Sequence, residues 1–262
     1  MKLMTEYIYE LESNGKYCFT LMDAVRGSGS NQNAVRASLR RLMKKGRIAM
    51  PFRSFYVLVP PQYHKLKCLP AEQFIPELMA YRKLEYYVGL LSAASYYGAA
   101  HQRPQELQVL VPKTIKPLQC GVVKVSFIMK SSMRMSHTVK RNTPRGILTV
   151  SSPEVTAFDL VGYPNRCGGY DNIIVVLLEL LERIDGRRIA QISTDQPKAW
   201  AQRLGFLLDF VGAKADLTDP LAEEVGARIR DYVALVPAIN SRGCKRNSRW
   251  KILENAKLEI AP

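Results

Sequence analysis

The N-terminal part of the chain alternates between apolar positions at helical spacing and short extended segments. Apolar residues three and four positions apart predict helices over residues 5–13 and 21–25, with an extended piece over 17–20 between them. A glycine-rich turn over 27–30 precedes a longer helix over 31–45, for which Ser30 is the expected N-cap and Gly46 the left-handed stop. Strands over 47–50 and 55–59, joined by 51–54, complete the pattern. The order helix, helix, turn, helix, hairpin predicts a winged helix-turn-helix.

The remainder of the chain mixes helical and extended patterns. Helices are expected over residues 71–83 with a break at Pro76, 85–98, 153–161 with Ser152 as cap, 173–183, 197–210 and 221–232. Strands are expected over 107–111, 122–129, 147–150 and 249–253. Paired prolines after Val59 favour an extended linker, which places the domain boundary near residue 67. The predicted fold class is α+β, with a winged helix-turn-helix over 1–67 and a larger mixed α/β domain over 68–262.

The net charge and its distribution along the chain are the strongest indication of function in the sequence. The 262 residues carry a formal net charge of +15, which is typical of a protein that meets a polyanion. An anionic membrane is the weaker candidate, because the apolar run over 173–178 ends at Glu179, far short of a bilayer span, and the N-terminus does not resemble a signal peptide. Residues 24–71 contain ten Lys or Arg and no Asp or Glu. A merely solvated surface usually mixes both signs, so this stretch indicates nucleic acid.

The 31–45 helix has the polar chemistry of a recognition helix. Amide and guanidinium groups near its start are the side chains that bond bidentately to adenine and guanine edges in the major groove. The expected groove contacts are Gln32, Asn33, Arg36 and Arg40. The expected phosphate contacts, which fix register without reading sequence, are Arg41, Lys44, Lys45, Arg47 and Arg53.

Two further basic regions leave alternatives open. Residues 113–145 hold eight Lys or Arg and no acid, and five more basic residues lie within 242–251. The candidate members of a second basic patch are Lys130, Arg134, Lys140, Arg141, Arg145, Arg242, Lys245 and Arg246. Three interpretations stay open: these residues extend the DNA-binding surface, they bind a second nucleic acid such as RNA, or they lie in solvated loops without a binding role. Composition alone does not distinguish them.

Catalytic and metal-binding patterns are missing from the sequence. The five cysteines are scattered without a C-x-x-C pair, which favours reduced thiols in a cytoplasm, and the three histidines (His64, His101 and His137) are isolated. The best match to a nuclease motif, Gln196-Pro197-Lys198, has a proline that disrupts a central strand. We therefore expect no enzyme activity, no metal and no cofactor.

Four segments resemble the AbiEi family of antitoxins, which belong to type IV toxin–antitoxin and abortive-infection systems. They are LSAASYYG at 91–98, VSSPEVTAFDLV at 150–161, RLGFLL at 203–208 and NSRWKI at 247–252. One departure is Val155, where the family more often has arginine before the threonine.

The resemblance implies two activities. The N-terminal domain is expected to bind inverted repeats in its own promoter and repress its operon. The C-terminal domain is expected to counteract a nucleotidyltransferase-like toxin without a stable complex. The leading hypothesis is thus a cytoplasmic DNA-binding autorepressor that is also an antitoxin. The alternatives are an interaction protein whose basic second domain binds RNA or a toxin directly, and a DNA nuclease.

Overall fold

The computed structural model describes residues 3–99 and 104–259, so His101 lies outside the described residues. The α-helices are α1 Met4–Ser13, α2 Leu21–Ser28, α3 Gln32–Lys44, α4 Ile75–Arg82, α5 Leu90–Tyr96, α6 Pro153–Gly162, α7 Gly169–Leu180, α8 Gly186–Ser193, α9 Lys198–Phe210 and α10 Ala215–Arg228. The β-strands are β1 Cys18–Thr20, β2 Ile48–Phe52, β3 Phe55–Leu58, β4 Tyr87–Val88, β5 Leu107–Val111, β6 Leu118–Cys120, β7 Val123–Met129, β8 Thr138–Thr143, β9 Gly146–Ser151, β10 Val233–Ala234, β11 Lys245–Asn247 and β12 Ile252–Glu254.

The chain divides into two compact units. The first unit comprises Met1–Val88, Gln105–Met133 and Lys140–Thr149, and the second comprises Gly89–Pro104, Arg134–Val139 and Val150–Pro262. The α+β fold class is confirmed. The boundary near residue 67 stays a prediction. Along the described part of the chain, every helix is too short or too polar to cross a bilayer.

The first unit begins with the predicted winged helix-turn-helix. Its elements follow the order α1, β1, α2, α3, β2, β3, and its antiparallel sheet has the order β1-β3-β2. One apolar cluster joins the helices to the sheet, because each element directs its apolar face inward. Its fully or nearly fully buried members include Ala24, Val35, Leu39, Ile48 and Leu58.

The turn before α3 is shorter than the sequence predicted. The α2 helix continues through Ser28, whereas the glycine-rich stretch was expected to be a turn from residue 27. Gly27 lies inside the helix against the ring of Tyr7, where an added Cβ would lie 2.2 Å from a ring carbon. Gly29, with a φ of 64°, ends the helix in the left-handed conformation. The N-cap of α3 is Asn31 rather than Ser30.

The hairpin after α3 accommodates a proline inside a strand. Ala49 pairs with Val57 and Phe52 with Phe55, so Met50 and Pro51 together oppose a single residue of β3. This bulge lies on β2, an edge strand of the sheet, where the missing N–H of proline breaks no ladder bond. The strand therefore extends to Phe52, and the connecting turn is shorter than the predicted 51–54.

A six-stranded sheet with the order β6-β7-β5-β4-β9-β8 follows the winged helix-turn-helix. The helix predicted over residues 85–98 was wrong in its first half, because Tyr87 and Val88 form a strand antiparallel to Leu110 and Val109 of β5. The helix itself begins only at Leu90. β5 and β7 run parallel, and both strands are buried along most of their length.

The second unit is mainly helical. Ser152 caps α6 as predicted, with its Oγ accepting from the Val155 N–H at 3.4 Å. Pro197 precedes α9, so Gln196-Pro197-Lys198 is not on a strand. Sequence periodicity missed α8, and it placed the start of α10 at residue 221 instead of Ala215 because Pro220 lies within that helix. The short sheet β10-β12-β11 ends the described chain.

Candidate nucleic-acid interface

The α3 helix is held by one face and leaves the other exposed. Its N-cap, Asn31, accepts a hydrogen bond from the Ala34 N–H at 2.9 Å, which fixes the first turn. Val35 and Leu39 are buried, and Leu42 and Met43 pack half-buried against the same core. This apolar stripe orients the remaining side chains of α3 away from the protein.

Every predicted groove and phosphate contact is exposed. The exposed set is Gln32, Asn33, Arg36, Arg40, Arg41, Lys44, Lys45, Arg47 and Arg53. Arg36 also lies near the Tyr56 hydroxyl group: burial raises the pKa of Tyr56, and the positive charge of Arg36 opposes that rise. The predicted roles of these residues in DNA binding stay predictions.

The basic side chains of the winged helix-turn-helix form two groups. Arg47 lies three residues after the end of α3 and its N–H donates to the Leu42 carbonyl at 3.1 Å, so it belongs with Lys44 and Lys45. Arg53 lies in the hairpin turn, six residues further along an extended strand, roughly 20 Å away. The turn is fixed in place, since the Leu21 N–H donates to the Ser54 carbonyl at 3.0 Å. The exposed basic side chains therefore lie at the two ends of β2, and their contact with phosphates stays a prediction.

Sequence reasoning overlooked one position on this face. Ala37 is exposed one helical turn from Asn33 and one turn from Arg41. A methyl side chain there lets a helix approach the groove closely and offers an apolar contact to a thymine methyl group. Helical periodicity of the small residues, rather than of the charged ones, was the available signal.

The second basic patch is only partly present within the first unit. Lys130 is 5% exposed, with its Nζ 5.9 Å from the ring centroid of Tyr87, so its charge is directed into the protein. The guanidinium of Arg145 lies over the ring of Tyr17 at 3.2 Å, and its Nε donates to Gln73 Oε1 at 2.8 Å.

The other two members from the first unit differ in exposure. Lys140 is exposed and donates to Thr149 Oγ1 at 2.8 Å, and Arg141 is half-buried. Lys130 and Arg145 thus have structural contacts, which leaves Lys140 as the member of this group with an exposed side chain.

The members in the second unit lie at separate places. Arg134 forms an ion pair with Asp195 at 3.1 Å. Lys245 and Arg246 share the short strand β11, and Arg242 is exposed shortly before it. Lys245 lies 3.6 Å from Glu254, and the Arg246 guanidinium lies 5.5 Å from the ring of Tyr232. Arg242, Lys245 and Arg246 therefore form the β11 basic cluster, in which Lys245 is paired with Glu254, and Arg134 is paired separately with Asp195.

Among the residues that the structure describes, no three or more His, Cys, Asp or Glu side chains are placed to hold a metal ion.

Comparison with family models identifies both parts of the chain. A model described as a transcriptional regulator, AbiEi antitoxin, matches residues 6–59, and one described as the AbiEi antitoxin C-terminal domain matches residues 87–210. The chain belongs to the AbiEi antitoxin family. Membership supports a role as an antitoxin and transcriptional regulator.

A solved structure has the same fold. The crystal structure of the RV2827C protein from Mycobacterium tuberculosis matches with a TM-score of 0.68 at 15% identity, covering 95% of this chain and 90% of that chain. Such low identity shows a shared fold and nothing about activity. No curated protein matches the sequence.

The four segments that resemble the AbiEi family pack against each other in pairs. Tyr97, from the first segment, donates its hydroxyl hydrogen to the Ser151 carbonyl of the second at 2.5 Å. Gly205, from the third, lies directly against the buried ring of Trp250 in the fourth. Val155, the departure from the family pattern, is 4% exposed inside α6. These segments thus mark packing of the second unit rather than a reactive centre.

Proposed function

We propose that this AbiEi protein is a cytoplasmic transcriptional autorepressor that binds inverted repeats in its own promoter. The observation that supports this proposal is the exposed, acid-free polar face of α3 opposite a buried apolar stripe. In this arrangement α3 enters the major groove, while Lys44, Lys45 and Arg47 at its end and Arg53 in the wing neutralise backbone phosphates.

A double substitution in α3 tests the groove assignment. Arg36→Ala with Arg40→Ala should abolish specific operator binding, because each bidentate base contact contributes about 1–3 kcal/mol and the loss of two weakens binding about 30-fold or more. The expected fold is unchanged, since both side chains are exposed. The matched control is Lys198→Ala with Lys214→Ala, which removes the same charge from exposed positions of the second unit. Equal operator affinity in the two variants contradicts the assignment.

We propose further that the protein acts as the antitoxin of a type IV system, paired with a nucleotidyltransferase-like toxin. Family membership supports this part, and no contact in the second unit specifies the toxin. A reading frame for such a toxin directly beside the gene, and rescue of growth when both are co-expressed, are the expected results. Rescue by the Arg36→Ala, Arg40→Ala variant would separate this activity from DNA binding.

A second candidate is direct binding of RNA or of the toxin by the second unit. The β11 basic cluster favours it, because Arg242, Lys245 and Arg246 are all exposed. Stoichiometric co-purification of the toxin or of RNA, lost on replacing these three residues by alanine, would support this candidate over antitoxin action without a stable complex. The proposal includes no catalysis, and Mg²⁺-dependent cleavage of operator DNA would contradict it.

A further inference from the structure

Two cysteines of the first unit, Cys68 and Cys120, lie where two segments that are distant in sequence contact each other. Cys68 follows the short helix Pro61–Leu66 and is fully buried, and Cys120 ends β6 and is half-buried. The Leu66 carbonyl accepts from the Val122 N–H at 3.0 Å. Gly121, the residue after Cys120, has a φ of 59° and lies so close to the Leu66 backbone that an added Cβ would be 2.2 Å from the Leu66 oxygen. The backbone thus holds the two cysteine-bearing segments together.

The two cysteines flank this close approach: Cys68 follows Lys67, Cys120 precedes Gly121, and a Cβ on Gly121 would lie 2.8 Å from the Cβ of Lys67. The Cys68 thiol donates to the Cys120 sulfur, and this bond raises the pKa of Cys68 further than its burial alone. The same bond, together with a second donor, the Met50 backbone N–H of β2, lowers the pKa of Cys120 against the effect of its burial. Cys120 is therefore the more accessible of the two sulfurs and the one whose pKa the pairing lowers, and Cys68 is its buried neighbour.

The other thiols lack this arrangement. Burial raises the pKa of Cys18, and it raises the pKa of Cys167 to about 12. Cys244 is half-buried in the second unit. A reactive thiolate beside a second thiol is the arrangement in which oxidation ends in a reversible disulfide rather than in higher oxidation states.

We propose that Cys68 and Cys120 are a redox pair that a hydroperoxide converts to a disulfide. The Cys120 thiolate attacks a peroxide oxygen, which breaks the O–O bond and gives a sulfenic acid and hydroxide. The Cys68 sulfur then attacks the sulfenic sulfur, the S–S bond forms, and the departing hydroxide leaves as water with the Cys68 proton. With hydrogen peroxide, two thiols and one peroxide give one disulfide and two waters.

The disulfide would join the segment after the wing to β6. It would also replace the sulfur that accepts from the Met50 N–H with a neutral disulfide sulfur, a weaker acceptor. Met50 lies in the bulge of β2, the strand that carries the wing turn. Oxidation of the pair would therefore weaken a hydrogen bond to β2, the strand that carries the wing turn.

Peptide mapping of the full-length protein tests this proposal without reference to DNA. The folded, reduced protein is treated with a hydrogen peroxide series, the peroxide is removed, free thiols are alkylated in denaturant, and the digest is read by mass spectrometry. The expected result is a peptide linked through Cys68 and Cys120 that disappears after reduction, with Cys18 and Cys167 alkylated. Absence of this link while Cys244 is oxidised, or a link between Cys18 and Cys68 instead, overturns the proposal.

Serine variants assign the role of each sulfur. Cys68→Ser should stop at a Cys120 sulfenic acid that dimedone captures, and Cys120→Ser should leave Cys68 alkylatable. Cys244→Ser is the matched control and should form the disulfide as the parent does. The proposal is contradicted if dimedone labels Cys68 in Cys120→Ser to the extent that it labels Cys120 in Cys68→Ser.

Discussion

Gly205 and Gly226 should respond in opposite directions to the same substitution. Both are helical, Gly205 within α9 and Gly226 near the end of α10. A Cβ added at Gly205 would lie 2.1–2.5 Å from three ring atoms of Trp250, whereas one added at Gly226 would meet nothing within 4 Å. The chain thus provides an internal comparison between helix propensity alone and helix propensity opposed by a packed ring.

The sizes of two opposing free-energy contributions determine whether each substitution stabilises or destabilises the protein. Alanine in place of a helical glycine favours the folded state by about 0.5–1 kcal/mol through the lower entropy of the unfolded chain. At Gly205 the added methyl overpacks the core, which costs typically about 1–3 kcal/mol. The Trp250 ring cannot move aside easily, because its Nε1 donates to Asp209 Oδ2 at 2.6 Å and its faces are fully buried. Gly205→Ala should therefore lower the free energy of unfolding by about 1–2 kcal/mol, and Gly226→Ala should raise it by about 0.5 kcal/mol.

Urea unfolding followed by circular dichroism measures both changes. Equal slopes with midpoints displaced in opposite directions are the expected result, since neither substitution alters the surface exposed on unfolding. If Gly205→Ala is as stable as Gly226→Ala, the close packing of the third and fourth AbiEi-like segments is wrong.

Three further predictions address the first unit. Thr20→Ala should lower the free energy of unfolding by about 1 kcal/mol in thermal or urea unfolding, because Thr20 Oγ1 accepts a hydrogen bond from the Asp23 N–H at 3.2 Å as half of the capping box of α2. An unchanged stability would contradict that cap. Lys44→Ala with Lys45→Ala should reduce the salt slope of DNA binding by about 2, at about 0.9 per phosphate, and should weaken all sequences alike; a slope equal to that of the parent would remove both residues from the interface. Arg145→Ala should destabilise the protein by about 1–2 kcal/mol, with lysine failing to restore it, because the planar guanidinium stacks on Tyr17; a change in DNA affinity without a change in stability would reverse this assignment.

Local signals account for the parts of the fold that the sequence predicted. Gly46, which has a φ of 68° just after the C-cap Lys45, and the spacing of Val35 and Leu39 define α3 from neighbouring residues, and its exposed polar face follows from the same period. The Ser152 cap likewise depends on residues within one turn. All nine predicted α3 and wing contacts are exposed, and their roles in DNA binding stay predictions.

Distant partners account for the rest. The turn expected from Gly27 is a helix because Tyr7 packs on that glycine from another element. Tyr87 and Val88 are a strand because β5 offers them a partner about twenty residues later. Lys130 and Arg145 looked like members of a basic patch, since a sequence shows their charge but not the rings they face. The residue pattern within a short stretch of sequence gives no information about these long-range contacts.

The cysteine pair was invisible for the same reason. Cys68 and Cys120 are separated by more than fifty positions, and scattered cysteines without a C-x-x-C motif predict isolated thiols. Only the contact between the segment after the wing and β6 brings them together.

The most direct test of the central claim is binding of the full-length protein to about 200 base pairs of DNA upstream of its own gene, compared with scrambled DNA of equal length across a salt series. The account predicts a saturable preference for the native sequence, with log K falling by about 0.9 per phosphate contact for each tenfold rise in salt. Equal and weak binding to both DNAs would contradict it, and would leave only the nonspecific attraction of a basic protein for a polyanion.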